Sequence, residues 1–383
     1  MKIGIMLRHF QQHGGGVRVY THNLMRELLA LGSNHEFVLL YRDPALIGTY
    51  AGGLDAENVR EVAIRAPSAF VWDQLAVRRA EKREKLDLIF NPKYSVPLNA
   101  ECPCVFVCHG LDWYVMPWGS KWMDGMNHRH LMPRYARKAR GIITVSDVTR
   151  DHVMKYLGVP RQRLHTVYHG VNEAFQRPVD PEQCARVRRQ YHLPDRYFLY
   201  VGQVYPPKNV GRLLQAYARI GPARGVYLVM AGEHRWLSER ELALVDKLNL
   251  RDWIIQTGWI ESDTLPAFYH QAEALALPSL YESFGIPLIE AMSMGCPVVT
   301  ANQFGTRELA EGVGILVDPE DVASIASGLE EVLDDPSRRQ RMIEAGRRRA
   351  AGFSWRQCAR QTLAVLEAAA EPRVESSLRQ VTI

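Results

Sequence analysis

Short apolar runs alternate with amphipathic stretches along this chain, and the alternation runs through twice. Candidate strands stand at Lys2–Leu7, Glu36–Tyr41, Asp87–Asn91, Cys104–Cys108 and Gly141–Val145, with helix-period stretches such as Arg18–Ala30 and Lys121–Lys138 between them. A second series opens at Tyr197, where FLYVGQV, VYLVMAG, WIIQTGWI, ALALPS, PVVTA and GILVDP read as short buried strands. Helical stretches at Val210–Arg219, Ser238–Leu248, Thr264–Gln271 and Pro287–Met294 separate them. Strands apolar on both faces that alternate with helices belong in parallel sheets. Two series predict an α/β chain of two doubly wound sheets, which 383 residues can supply. The join is expected near Phe175–Pro194, where Pro, Arg and Gln replace the apolar runs, giving domains 1–180 and 181–383. A last helix around Gln357–Ala370 follows both series, and the polar tail past Pro372 reads as frayed.

Charge is unevenly spread. Through Asn172 there are 23 Lys and Arg against 15 Asp and Glu, and beyond it 24 against 27. A basic first half suits an anionic partner, either a phosphorylated acceptor or an acidic membrane surface, and suits equally well a scatter of solvated charge. No dense basic arm interleaved with aromatics points to nucleic acid. Cys102, Cys104 and Cys108 are spaced C-x-C-x3-C on an apolar stretch, which is not a zinc-site pattern. With Cys184, Cys296 and Cys358 they read as buried thiols of a reducing compartment. The opening MKIGIMLRHF lacks the apolar centre of a secretion signal, and no apolar run is long enough to span a bilayer. A cytoplasmic protein is expected, with peripheral contact to the inner face of the cell membrane through its basic half.

Two facing sheets of this kind create a cleft lined by strand ends and helix starts, a natural place for a nucleoside diphosphate. His13-Gly14-Gly15-Gly16 follows the first strand and precedes a helix, so the backbone there can approach an anion closely. It is neither G-x-G-x-x-G nor a Walker loop, and a plain turn is an equal reading. The segment Pro278-Ser-Leu-Tyr-Glu282-Ser-Phe-Gly-Ile-Pro-Leu-Ile-Glu290 is more specific. Glu282 closes a loop after an apolar strand, Gly285 permits close approach, and Pro287 suits a first helical turn. The free amides of that turn can bind phosphate. Glu290, with seven residues between it and Glu282, can accept two hydrogen bonds from adjacent hydroxyls such as those of ribose. Trp113, Trp118, Trp122 and Met126, followed by His128, Arg129, His130, Arg134, Arg137 and Lys138, suit an acceptor- or membrane-facing surface or ordinary helix packing.

The string E-S-F-G-I-P-L-I-E resembles the Glu-x7-Glu motif of family 4 of the retaining glycosyltransferases, whose GT-B fold sets two Rossmann-like domains face to face. ALALPSLYESFG and GCPVVTANQFGTRELAEGVGILVDPED are similar to the approach to and exit from that motif. Val201-Gly-Gln-Val-Tyr-Pro-Pro-Lys208-Asn is similar to the family's phosphate-binding turn. Ile143-Thr-Val-Ser146 and Val167-Tyr-His-Gly-Val-Asn172 match the end of its first domain. The resemblance runs from the glycine triplet to Trp355, specific after Tyr197 and looser before Asp87.

The resemblance implies site residues one by one. Glu282 would contact the hydroxyls of the donor sugar and Glu290 the ribose, while backbone around Phe284, Gly285 and Ile286 would meet sugar and phosphate. Lys208 would pair with the diphosphate, and His109 would stand beside the donor sugar as a polar contact or transition-state support. Catalytic roles thus fall on His109, Glu282 and Lys208. Donor contacts fall on Gly15, Gly16, Gln203, Lys208, Ile260, Phe284, Gly285, Ile286, Leu288 and Glu290. Gln203 is a departure, because the family usually carries Arg there; Arg150 and Arg307 are candidate compensating cations. A last helix crossing back onto the first domain is also implied. No metal or other cofactor is expected, since Lys and helix termini can neutralise the diphosphate. The implied activity moves a hexose of mannose, glucose or N-acetylglucosamine type from a nucleotide diphosphate sugar to an acceptor hydroxyl. The acceptor would be a sugar, a lipid-linked chain or a small molecule. GDP-mannose leads, because His109-Gly-Leu-Asp-Trp-Tyr and the Trp-rich stretch resemble bacterial mannosyltransferase-like members. A sugar-nucleotide 2-epimerase of similar fold and a non-catalytic binder remain alternatives.

Overall fold

The structure is a computed structural model that describes residues 1–8, 15–31, 34–50, 58–119, 122–233 and 239–371. His13, Gly14, Ser238 and the tail past Pro372 lie outside the described residues.

The first sheet holds β1 (Lys2–Met6), β2 (Glu36–Tyr41), β3 (Val59–Ala63), β4 (Leu88–Asn91), β5 (Cys104–Cys108), β6 (Gly141–Thr144) and β7 (Leu164–Thr166). Their order is β3-β2-β1-β4-β5-β6-β7, every pair parallel. The second sheet holds β8 (Tyr197–Val201), β9 (Tyr227–Ala231), β10 (Ile254–Gly258), β11 (Ala274–Leu277), β12 (Val298–Ala301) and β13 (Ile315–Val317). It runs β10-β9-β8-β11-β12-β13, again all parallel. Both are doubly wound sheets with helices on the two faces.

The interior strands read as strands because they are buried on both faces. CVFVC, GIIT and ALAL have no exposed position. Two strands escaped the sequence reading, and both are edges. β3 is VREVA, whose Arg60 is exposed and whose Glu61 accepts from Tyr41 Oη at 2.8 Å. β7 is only three residues long. Polar or short edges are how sheets avoid pairing with other chains, and they erase the apolar signal.

The helix Trp355–Ala370 starts at a Ser354 cap and lies against Gly16–Ala30 of the first layer. His35 Nε2 meets Glu367 Oε1 at 2.9 Å across that contact. The chain therefore returns to the first sheet after completing the second, as the resemblance implied. No helix among the described residues is long and apolar enough to cross a membrane.

Trp113 does not form part of an exposed aromatic surface. Its ring stacks on His128 with centroids 4.1 Å apart, and Arg129 donates to its carbonyl at 3.0 and 3.1 Å. Trp118, by contrast, is 61% exposed. The side chains of Trp122 and Met126 lie outside the described residues. All six cysteines are free, and burial pushes the thiols of Cys104 and Cys108 up to about 12, which leaves them unreactive.

Candidate active site

The carboxyl ends of the two sheets face each other across a cleft holding about 340 Å³. Gly15, Gly16, His109 and His169 line it from the first layer. Gln203, Lys208, Ile260, Glu282, Phe284, Gly285, Ile286 and Glu290 line it from the second. The sequence-predicted set is thus brought together, with one exception. Leu288 is fully buried in the core, and its amide donates to the Gly285 carbonyl at 2.9 Å. Three positions after Gly285, a helical side chain turns away from the lip and into the packing. Arg150 and Arg307 do not line the cleft either. Arg150 pairs with Asp147 and Asp151, and Arg307 with Glu311 at 3.0 Å.

The loop carrying Glu282 is held from both sides. Gly285 has φ +112°, a conformation other residues adopt only under strain, and it opens the helix Ile286–Ser293. The amides of Phe284, Gly285 and Ile286 have no acceptor among the described residues, so they remain available at that helix start. The Ser283 carbonyl accepts from Ser146 Oγ at 2.5 Å and Thr149 Oγ1 at 3.4 Å, both from the first layer. Gly305 N donates to the Glu282 carbonyl at 3.0 Å.

Lys208 ends the short turn Pro206–Lys208, and its ammonium pairs with Glu282 Oε1. Ser279 Oγ donates to the same oxygen at 3.1 Å. The turn is anchored by Asn209 Nδ2, which donates to the carbonyls of Pro278 and Pro319 at 2.9 and 2.6 Å. A cation and a carboxylate therefore meet at the cleft wall.

Glu290 lies deeper. It is 8% exposed and accepts from Tyr269 Oη at 3.0 Å. Burial outweighs that hydrogen bond and pushes the carboxyl up to about 8, so it is largely protonated at neutral pH. His109 follows β5, and its Nε2 sits 2.8 Å from the Pro92 carbonyl. Burial lowers it to about 4, so the ring is neutral and that bond fixes the proton on Nε2. Nδ1 is left as an acceptor. No group of three or more His, Cys, Asp or Glu able to hold a metal occurs among the described residues.

The sequence reading assigned no role to Tyr269, Ser279, His169 or Glu308. Glu308 accepts from the amides of Asp147 and Val148, both at 3.0 Å, and from Tyr168 Oη at 2.8 Å. It caps the helix Asp147–Leu157 from the opposite layer. His169 lies inside Val167–Asn172 and Ser279 inside the Pro278–Glu290 segment, three residues before the Glu282 it bonds, so both had a local signal; Tyr269 and Glu308 are defined by partners distant in sequence.

Two family models match the chain. One described as glycosyl transferases group 1 covers residues 186–349, and one described as glycosyltransferase family 4 covers 14–175. The chain is similar to the O-antigen chain mannosyltransferase B of Escherichia coli, 34% identical over 228 residues; the match covers 59% of this chain and 60% of that protein. The uncharacterized glycosyltransferase MJ1607 of Methanocaldococcus jannaschii is 30% identical over 379 residues, covering 93% of this chain and 95% of that one. Anabaena Alr3699/HepE, solved in complex with UDP and glucose, shares the fold with a TM-score of 0.76 at 17% identity, covering 96% and 100% of the two chains.

Proposed function

Because the chain belongs to the glycosyl transferases of group 1 and family 4, we propose that it transfers a hexose from a nucleotide diphosphate sugar to an acceptor hydroxyl with retention of anomeric configuration. One observation carries the reading: Lys208, Glu282, Glu290 and the open helix start at Gly285 share a single cleft. Lys208 and the amides of Phe284, Gly285 and Ile286 take the diphosphate. Charge grows there as the nucleotide leaves, so fixed positive groups act most strongly at the transition state. With no metal assigned to the reaction, Lys208 and the helix start carry the neutralisation.

Diphosphate binding draws Lys208 partly away from Glu282, which then accepts from hydroxyls of the transferred sugar. His109 offers Nδ1 to another hydroxyl and, being neutral, serves as acceptor rather than acid. Glu290 holds the ribose. Retention proceeds by attack on the face the nucleotide leaves, with the departing phosphate taking the acceptor proton. GDP-mannose is the leading donor, in keeping with the mannosyltransferase similarity; UDP-glucose and UDP-N-acetylglucosamine follow. The product would belong to a surface polysaccharide, a glycolipid or a glycosylated metabolite. The basic first half would receive an anionic acceptor or rest on the inner face of the membrane.

A thermal-shift screen of GDP and UDP, followed by labelled donors with and without acceptor, tests this. Stabilisation by one nucleotide and an acceptor-dependent product are expected. A product formed without acceptor would indicate epimerisation instead, and binding without any turnover would leave a sugar-nucleotide binder.

A further inference from the structure

His169 is a group that the reaction above does not use. It lines the same cleft yet is only 4% exposed. Four rings frame it: Phe284 at 4.6 Å, Tyr20 at 4.8 Å, Trp355 at 5.7 Å and nearly parallel, and His109 at 5.8 Å between centroids. Its backbone is equally confined, since a Cβ on the next residue, Gly170, would fall 2.0 Å from Trp355 N. Neither ring nitrogen has a hydrogen-bond partner among the described residues. Burial lowers its basicity well below the usual histidine range, so the ring is neutral, with one N–H and one lone pair.

An unmatched buried donor and acceptor are costly, and folds retain them where a ligand or water completes them. The fit is specific. His109 beside it has its Nε2 committed to Pro92 and presents only an acceptor. An imidazole keeps its outline after half a turn about Cβ–Cγ, so His169 can bring a nitrogen to its cleft-facing edge without repacking the rings. A sugar hydroxyl both donates and accepts, and therefore suits a neighbouring pair in which one ring accepts and the other donates.

We propose that His169 is a catalytic residue that, with His109, reads a hydroxyl of the transferred sugar. The assignment rests on the donor reading of the cleft given above. His169 donates its N–H to the oxygen whose own hydrogen is given to His109 Nδ1. It contacts the sugar alone, so nucleoside diphosphate affinity is not its concern.

The test uses His169→Phe, His169→Asn and His169→Ala in the full chain. With His169→Phe, affinity for the nucleoside diphosphate should stay within about twofold of the parent, while kcat/KM for the nucleotide sugar falls roughly tenfold or more, the loss of one neutral hydrogen bond. His169→Asn, which keeps a donor, should recover part of that loss. A cycle with donors deoxygenated at one position each keeps the idea testable should the Phe variant misfold. For one hydroxyl, the deoxy penalty seen in the parent should shrink in His169→Ala, which keeps neither donor nor acceptor. Parent-like turnover in His169→Phe, or a deoxy penalty unchanged in His169→Ala at every position, would overturn the assignment while nucleotide binding stands. A parent that binds no nucleoside diphosphate would overturn the donor reading, and this assignment with it.

Discussion

Replacing Glu290 by Gln should stabilise the empty protein and weaken the bound one, in amounts set by pH. The carboxyl is pushed from an ordinary 4.5 to about 8 by burial. Between those values the unfolded chain has released the proton that the folded protein still holds. Stability is therefore lost as pH rises, by about 1.4 kcal/mol for each unit in that window. From pH 6.5 to 8 the parent should lose about 2 kcal/mol that the Gln variant does not, because Gln can still accept from Tyr269 and has no proton to release. On a domain of this size that is a relative fall in melting temperature of roughly 4–8 °C. Binding runs the other way. Two ribose hydroxyls donate best to the ionised form, so the parent should gain up to about tenfold in affinity per unit below pH 8 and level off above it. The variant should bind roughly 10- to 100-fold more weakly at pH 8, with no such slope. Scanning fluorimetry and calorimetry from pH 6.5 to 8.5, using an intact nucleotide sugar with no phosphate titrating in that range, read both effects. Parallel melting curves would refute the raised carboxyl of Glu290, and parallel affinity profiles for parent and variant would refute the placing of a ribose on it.

Lys208→Ala should lower kcat/KM roughly 100- to 1,000-fold while the chain still folds; wild-type turnover in a folded variant would remove Lys208 from the diphosphate. Gln203→Arg should be neutral or beneficial if the cleft tolerates an amide where a cation fits, and steady-state kinetics that show a large loss would mean the wall has been rebuilt around Gln203. Proton NMR of fresh product should show the anomeric coupling of the donor retained, and EDTA should leave the rate unchanged; inversion, or an enzyme silenced by EDTA, contradicts the front-face and metal-free steps respectively. Glu308→Ala removes a carboxylate worth about 1–2 kcal/mol at a helix start, so small-angle scattering should report a larger radius of gyration for the empty variant; an unchanged radius means closure does not depend on that contact.

The parts of this molecule legible in its sequence are those whose signal is local. β5, β6 and β11 announce themselves because each residue in them is apolar or small and both faces are covered. β3 does not, because Arg60 and Glu61 face polar surroundings at a sheet edge. The same contrast holds in the cleft. Glu282, Gly285 and Glu290 stand within one loop and helix, so their spacing alone suggests shared work. The charge state of Glu290 could not be read that way, since its Tyr269 partner and the burial that protonates it come from the packed domain. Leu288 shows the limit from the other side: within the motif by position, it belongs to the core by helical phase.

The first layer shapes the helix start proposed to take the diphosphate. The carbonyl of Ser283 and the amide of Phe284 belong to one peptide unit, planar and trans, so fixing one direction fixes the other. Ser146 and Thr149 of the first layer hold that carbonyl at 2.5 and 3.4 Å. The Phe284 N–H is then aimed the opposite way. Ser146 is also the cap of the helix Asp147–Leu157, with its oxygen accepting from Thr149 N at 3.0 Å, and Glu308 binds the next two amides of that same helix. One helix start thus carries both the closure contact and the groups that set the peptide. Parting the layers would release the Ser283–Phe284 peptide to rotate, and the proposed anion site would lose a donor whose direction the second layer alone does not fix. Affinity for a diphosphate and closure of the cleft are on this argument two readings of one equilibrium, since a ligand shifts a conformational balance by as much as it prefers one state.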